Sequence, residues 1–148
     1  DEHIPSKEKE EWMMFKEQMT WPPSEGEFDQ MLAESESWKG IDEAAEMQWK
    51  AEALLRPEEL LESAFPPSWG EHKEALSWWS VDEKPFTDWR GLWRSKNWDR
   101  LIESLLEDIL DPKYKEDARK TLVFLFALLG LDHEYTKKYR RRFSMALY

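Results

Sequence analysis

The three histidines are the side chains of this sequence with the widest chemical repertoire. A histidine can bind a metal or move a proton when a second ligand or a carboxylate lies three or four residues away, on the same helix face. His72 directly follows Glu71, His133 directly precedes Glu134, and His3 stands apart near the start. Adjacent residues do not share a helix face, so we expect no metal site.

Other catalytic chemistry has equally little support in the sequence. The chain has no cysteine, which excludes a thiolate nucleophile, a disulfide-linked partner and every cysteine-based metal site. It contains no EF-hand loop, no Glu-x-x-His pattern of the ferritin type and no phosphate-binding loop. Ser24 and Ser68 are explained as helix caps. We therefore expect a protein that is not an enzyme and has no cofactor.

Ten tryptophans provide the second class of candidate residues. Tryptophan suits positions where an apolar body meets a polar rim, as in small cores, protein interfaces and membrane surfaces. Trp78 and Trp79 are adjacent, and adjacent residues on a helix point about 100° apart, so at least one is expected to face solvent or a partner. We predict partner binding by Trp78, Trp79, Trp89 and Trp93. The alternative is that the tryptophans pack between the helices of the core.

Charge is divided unevenly along the chain, whose net charge is −11. Residues 1–88 carry 8 Lys/Arg and 23 Asp/Glu, whereas residues 89–148 carry 13 and 9. An acidic chain of this kind is not expected to bind nucleic acid sequence-specifically. A basic cluster near the end is a candidate for contact with an anionic surface, and it consists of Lys137, Lys138, Arg140, Arg141 and Arg142. Its alternatives are cations that stabilise a helix C-terminus and a contact with the acidic half of the chain.

A short motif that occurs twice predicts how the chain positions these residues. Residues 21–27 read Trp-Pro-Pro-Ser-Glu-Gly-Glu, and residues 65–71 read Phe-Pro-Pro-Ser-Trp-Gly-Glu. In both, a glutamate follows the serine by three residues, which is the pattern of a capping box at a helix start. Ser24 and Ser68 are therefore predicted to begin two equivalent helices.

Two further matches extend the similarity between the copies. Residues 38–41 and 89–92 share the order Trp, cation, Gly, aliphatic, and residues 51–55 resemble residues 102–106. The series favours an internal duplication, with a longer second copy whose inserted segment includes the loop from Trp78 and Trp79 to Pro85. Two independent helix starts of similar sequence are the alternative.

Composition predicts an all-α fold in one domain. Two valines and one asparagine are too few for a sheet of β-branched strands with tight hairpins, and 148 residues are usual for a single domain. We predict an irregular helical bundle over 1–148, with two helix-loop-helix repeats at about 20–56 and 64–107 and a C-terminal helical pair at 111–148. The helix from Pro112 to Leu129, apolar on all sides near its end, is predicted to be central.

The functional expectation is a non-catalytic helical subunit or adaptor that contacts other protein subunits in a larger assembly. The alternative is a peripheral membrane-associated subunit of an organellar respiratory or photosynthetic complex, which would contact lipid headgroups through tryptophans and the basic helix. The sequence begins at Asp1 and not at Met, which we interpret as a sign of a processed or excised product.

Overall fold

The computed structural model describes residues 6–148, with the backbone alone for Ser6. This part of the chain forms helices and no strand, so the predicted all-α fold class is confirmed. Its α-helices are α1 Ser6–Gln18, α2 Glu25–Ala33, α3 Asp42–Leu55, α4 Pro57–Leu61, α5 Phe86–Arg94, α6 Trp98–Asp108, α7 Lys115–Leu129 and α8 Glu134–Ala146. Two 3-10 helices span Ser35–Trp38 and Pro67–His72. His3 lies outside the described residues.

The chain divides into two compact units, Asp1–Pro57 and Glu58–Tyr148. The prediction of one domain over 1–148, with repeats at 20–56 and 64–107 and a helical pair at 111–148, stays a prediction. Among the helices that could be examined, none is both long and apolar enough to span a bilayer.

The first unit has an aromatic core. The Trp12 indole packs edge-on against Trp38 with ring centroids 4.9 Å apart, and Phe15 lies at the same distance from Trp38. Trp12 also donates its Nε1–H to Glu43 Oε1 at 3.1 Å, which satisfies the one polar group that its burial would otherwise leave unpaired. The buried residues around this centre are Phe28, Met31, Ile41, Ala44, Ala51 and Leu55.

The predicted capping box at Ser24 is present. The Ser24 hydroxyl accepts from Glu27 N at 3.1 Å, and Ser24 N donates to Glu27 Oε1 at 2.9 Å. Burial alone would raise the pKa of Glu27, but the hydrogen bonds it accepts from Ser24 and Thr20 lower it overall. The box therefore fixes the start of α2 at Glu25.

The second predicted capping box, at Ser68, is wrong. Here Pro66 is the N-cap, Pro67 is the first helical residue, and no side chain caps the helix. Ser68 therefore lies inside a 3-10 helix, where its hydroxyl is not placed to bond the first free backbone N–H groups. Residues 73–80 continue as successive turns and not as an α-helix.

The two serines give a matched test of this difference. We expect Ser24→Ala to lower the free energy of unfolding of the first unit by about 1 kcal/mol, and Ser68→Ala to change that of the second unit by less than about 0.5 kcal/mol. Urea denaturation followed by circular dichroism measures both. Equal losses for the two variants would contradict the assignment of a single capping box.

One of the two remaining landmarks of the predicted duplication also differs in local structure, whereas residues 51–55 and 102–106 are both α-helical. Residues 38–41 leave a 3-10 helix through a turn, whereas residues 89–92 lie within α5. The two tetrapeptides therefore do not adopt the same conformation, although both place a tryptophan in a core: Trp38 is 3% exposed and Trp89 is fully buried. Shared sequence order did not impose a shared backbone here.

The second unit is built around α6 and α7. Helix α6 contacts α5, α7 and α8, and its buried stripe consists of Trp98, Leu101, Ile102, Leu105 and Leu106. Helix α7 has the largest set of buried residues among the described helices, in agreement with the prediction of a central helix. It begins at Lys115 and not at Pro112, because residues 111–114 form a turn in which Asp111 Oδ1 accepts from Lys113 N at 3.0 Å.

Gly130 ends α7. Its φ is 99°, a value that side chains with a Cβ rarely adopt, and its N–H still bonds Phe126 O at 2.8 Å. The next helix begins with His133 as N-cap, whose Nδ1 accepts from Tyr135 N at 3.0 Å. The cap of α8 is therefore His133 and not the carboxylate of Asp132 beside it.

Candidate functional site

The four predicted partner-binding tryptophans form one cluster in the second unit. Trp78 contacts Trp79 and Trp89, with ring centroids 5.3 and 5.2 Å apart, and Trp79 contacts Trp93 at 5.9 Å. Most of these rings meet edge to face, the arrangement that aromatic quadrupoles favour. The sequence grouping of the four residues thus corresponds to a spatial grouping.

The cluster is nevertheless inside the unit. Trp78 and Trp79 are 2% and 4% exposed, and Trp89 and Trp93 are fully buried. The expectation that at least one of Trp78 and Trp79 faces solvent is therefore wrong. It assumed an α-helix, whereas residues 73–80 form turns with hydrogen bonds such as Trp79 N to Leu76 O at 3.0 Å. The two indoles are consequently tilted by only 39° and share one site.

The Trp78 indole is also anchored by hydrogen bonds. Its Nε1–H donates to Thr121 Oγ1 at 2.8 Å and to Ala75 O at 3.0 Å. The Thr121 hydroxyl lies within reach of two carbonyl acceptors, Asp117 O at 2.7 Å and Ala75 O at 3.1 Å. Thr121 is fully buried at the start of the apolar run of α7, directly after two cations. Its helical spacing to the buried residues Ala118 and Leu125 was the signal in the sequence for its burial.

Two arginines of α5 contact Trp79, one at its main-chain carbonyl and one at its ring. The Arg90 guanidinium donates to Trp79 O and pairs with Asp82 at 2.9 Å. Arg94 donates from Nε to Glu58 Oε2 at 2.7 Å and lies 5.7 Å from the centroid of the Trp79 ring. Arg94 therefore covers the Trp79 ring while Arg90 holds its main chain, and at 4% exposure the ring has no free face for a partner.

Trp89 has an acidic hydrogen-bond partner, Asp108, which accepts from its Nε1 at 2.8 Å. Burial is the largest cause of a raised pKa at Asp108, the hydrogen bond from Trp89 opposes it, and the carboxylates of Glu107, Asp88 and Asp111 add to it. The net direction is upward, so the ionised form of Asp108 costs stability in the folded state.

We expect Asp108→Asn to stabilise the second unit at neutral pH, with a gain that disappears on acidification. The folded state holds the Asp108 proton more tightly than the unfolded state, so its contribution to stability is complete below the unfolded pKa, near 3.8, and is lost as pH rises through the raised folded pKa. Asparagine keeps an acceptor for Trp89 without the charge.

Urea denaturation at about pH 3.5 and about pH 7 measures this linkage. Asp132→Asn, which removes an exposed carboxylate, is the control and should show no comparable change between the two pH values. A gain from Asp108→Asn that is equal at both pH values, or a loss at neutral pH, would contradict the role given to burial.

The basic cluster of α8 divides into two sets. Lys138 lies 3.4 Å from Asp99 and Arg142 lies 3.0 Å from Glu103, so these two cations are paired with α6. The i,i+4 spacing of both pairs of residues, 138 and 142 on α8 and 99 and 103 on α6, was the signal for this contact in the sequence. Among the described residues, the exposed side chains of Lys137, Arg140 and Arg141 have no acidic partner.

Tyr139 completes the contact between α6 and α8. Its hydroxyl reaches both Asp99 and Glu103, the latter at 3.0 Å. Burial and these two carboxylates raise the pKa of Tyr139, and its hydrogen bond is the largest cause of a lowered pKa at Asp99. The predicted pairing of the basic helix with the acidic half therefore does not describe these ion pairs, whose carboxylates lie in the C-terminal half.

His72 and His133 make contacts that stabilise the fold. The His72 ring lies 5.6 Å from the Phe124 ring and 5.3 Å from Trp69, and its Nε2 is 3.2 Å from Glu71. His133 caps α8. In the part of the chain that the structure describes, no three potential metal-binding side chains lie together.

Comparison with known families gives one match. Residues 96–148, which contain α6, α7 and α8, match the tetratricopeptide repeat family. No curated protein and no solved structure matches the chain. A tetratricopeptide repeat is a helix-turn-helix unit of about 34 residues, so the matched stretch spans one helix pair and a third helix. Such repeats stack into surfaces that bind other proteins. This stretch is therefore similar to a helical module of protein-protein interaction.

Proposed function

We propose that this protein is a non-catalytic helical adaptor, a subunit that holds other proteins together in a larger assembly. The supporting observation is the tetratricopeptide repeat match over α6, α7 and α8. Repeats of this type bind partners through extended surfaces of stacked helices, and their own cores are filled by their side chains. The buried tryptophans agree with such a role, because they stabilise the unit that presents the surface.

The proposed partner contact does not involve the four predicted tryptophans. Residues that are buried contribute to a protein interface only if the unit opens, and Trp89 and Trp93 are fully buried. We therefore propose that Trp78, Trp79, Trp89 and Trp93 act as core residues. The contact surface is proposed to include two exposed cations of α8, Lys137 and Arg140.

A peripheral membrane role is kept as the second candidate because of one observation. Lys137, Arg140 and Arg141 form an exposed cationic set without acidic partners among the described residues, and such a set attracts anionic lipid headgroups. The tryptophans that would anchor the protein in the interface are buried. A place in a respiratory or photosynthetic complex stays a prediction.

Capture followed by reconstitution tests the adaptor proposal. The tagged full chain is incubated in an extract of its source organism, and each retained protein is then purified and mixed with it at defined concentration. We expect a complex of fixed stoichiometry in size-exclusion chromatography with light scattering. Failure of every retained protein to rebind after purification would overturn the proposal.

Vesicle sedimentation separates the two candidates. Vesicles of phosphatidylcholine alone and of phosphatidylcholine with phosphatidylserine are sedimented with the purified chain. The adaptor proposal expects the protein to remain in the supernatant in both cases. Co-sedimentation with the anionic vesicles, lost in Lys137→Glu combined with Arg141→Glu, would favour the membrane role.

A further inference from the structure

An apolar groove lies between α7 and α8 in the second unit. Its volume is about 490 Å³, and its lining is mainly carbon. Val123, Phe126 and Ala127 of α7 form one side, at the i, i+3, i+4 spacing of a single helix face. Phe143 of α8 forms the other side, with its ring centroid 5.7 Å from that of Phe126. Leu131, 71% exposed, stands at one end.

An unsatisfied hydroxyl lies at this groove. Thr136 lines it and is 1% exposed, yet its Oγ1 has no hydrogen-bond partner among the described residues. Buried hydroxyls are normally paired. The Oγ1 atom is shielded from the groove by its burial, so Thr136 serves as part of the groove wall, and the nature of an occupant is argued from the charges on the rim.

Charge on the rim indicates the chemistry of the ligand. Arg140 lines the groove, and Lys137 lies three residues earlier on α8, on the same side of the helix. Both are exposed and have no acidic partner in the described chain, in contrast to Lys138 and Arg142, which bind α6. An occupant with carboxylates beside an apolar surface would complement both the groove and its rim.

The backbone of the occupant is constrained as well. An extended peptide gains affinity by adding to a sheet edge, and the described chain has no strand to offer. A helix satisfies its own backbone groups and can lay an apolar stripe into a groove between helices. A tetratricopeptide repeat unit has two helices, and α8 is the third helix of the matched stretch. A further helix beside α7 and α8 would therefore extend the stacking pattern.

We propose that the groove between α7 and α8 binds an amphipathic acidic helix of a partner protein. Apolar side chains of that helix enter between Val123, Ala127 and Phe143, and its flanking carboxylates pair with Arg140 and Lys137. The inference rests on the proposed adaptor function and names its surface and the chemistry of its partner.

Fluorescence anisotropy with a labelled synthetic helix tests the proposal. The probe is an acetylated and amidated peptide of about 20 residues, long enough to form a helix, with leucine at i, i+3, i+4 and i+7 and glutamate on both flanks. Two matched peptides serve as controls. One carries lysine in place of every glutamate, and the other has the same composition in an order without a leucine stripe.

We expect the acidic amphipathic probe to bind the full chain at least about tenfold more tightly than either control peptide. Arg140→Glu should weaken this binding about tenfold or more, and Ala127→Trp, which fills the groove, should do the same. Arg141→Glu changes the charge equally at the next residue but does not line the groove, so its effect should stay below about threefold. Unchanged thermal melting verifies that each variant is folded.

Three binding results would each overturn the proposal. The acidic probe fails to bind at concentrations up to about 1 mM, the lysine peptide binds as tightly as the acidic probe, or Arg140→Glu and Arg141→Glu weaken binding equally. Anionic vesicles that bind the parent and not Arg140→Glu, or self-association that Ala127→Trp abolishes, would assign the groove to lipid or to a second copy. If Ala127→Trp still rebinds the purified partner of the adaptor test, the adaptor function stands and the groove proposal fails.

Discussion

Replacing Trp78 with alanine should lower the free energy of unfolding of the second unit by about 3–5 kcal/mol. The side chain is 2% exposed and lies between the rings of Trp79, Phe86 and Trp89. Its removal leaves a cavity among rigid aromatic neighbours that cannot collapse easily. It also leaves the Thr121 hydroxyl without its indole donor. Urea denaturation monitored by circular dichroism measures the loss.

A second variant at the same position separates packing from hydrogen bonding. Trp78→Phe retains an aromatic ring but has no N–H, so it should cost less than Trp78→Ala. Leu110→Ala serves as control because Leu110 is 70% exposed, and we expect a change within about 0.5 kcal/mol. If Trp78→Ala leaves the unfolding free energy unchanged while weakening the complex with a partner, the indole is an interface anchor and not a core residue.

The parts of the fold that the sequence predicted are those that local patterns control. One apolar stripe over three turns follows from the helical spacing of Trp98, Leu101, Ile102, Leu105, Leu106, Ile109 and Leu110, and the first six of these residues are buried. Leu110 is the exception, because it lies beyond the end of α6 at Asp108 and is exposed. Ser24 with Glu27 forms the predicted capping box, because all groups of that motif lie within four residues of one another.

The same motif fails at Ser68 because contacts distant in sequence override it. Trp69 is 7% exposed, with its ring 6.1 Å from that of Phe124 in α7. Tertiary packing of this kind routinely outweighs a cap worth about 1 kcal/mol. The tighter 3-10 backbone and the turns after it follow the requirements of the core, and the sequence alone does not say which partner each aromatic residue finds.

The candidate site was predictable in composition but not in exposure. The sequence grouped Trp78, Trp79, Trp89 and Trp93, and the structure places them together, but inside. The division of the basic cluster likewise depends on which helix lies beside α8, since Asp99 and Glu103 neutralise Lys138 and Arg142 alone. The groove beside α7 required the structure, because its two sides come from different helices.

Phe124→Ala should destabilise the second unit by about 3–5 kcal/mol as well, and by a different route from Trp78. Phe124 is fully buried, and its ring lies 6.1 Å from those of Phe65 and Trp69 and 6.4 Å from that of Trp93. These contacts join residues before α5 to the end of α5 through α7. The loss should therefore affect segments distant from the mutated residue.

Hydrogen exchange followed by mass spectrometry measures that spread. In the parent, amides of residues 122–129 should exchange slowest, because opening them requires the unit to unfold. In Phe124→Ala the protection of residues 65–72 and of α5 should fall together with that of α7. Leu131→Ala, at a site 71% exposed, is the control and should leave all three unchanged. Fast exchange of residues 122–129 in the isolated parent would mean that α7 is not the core of this unit and needs a partner to cover it.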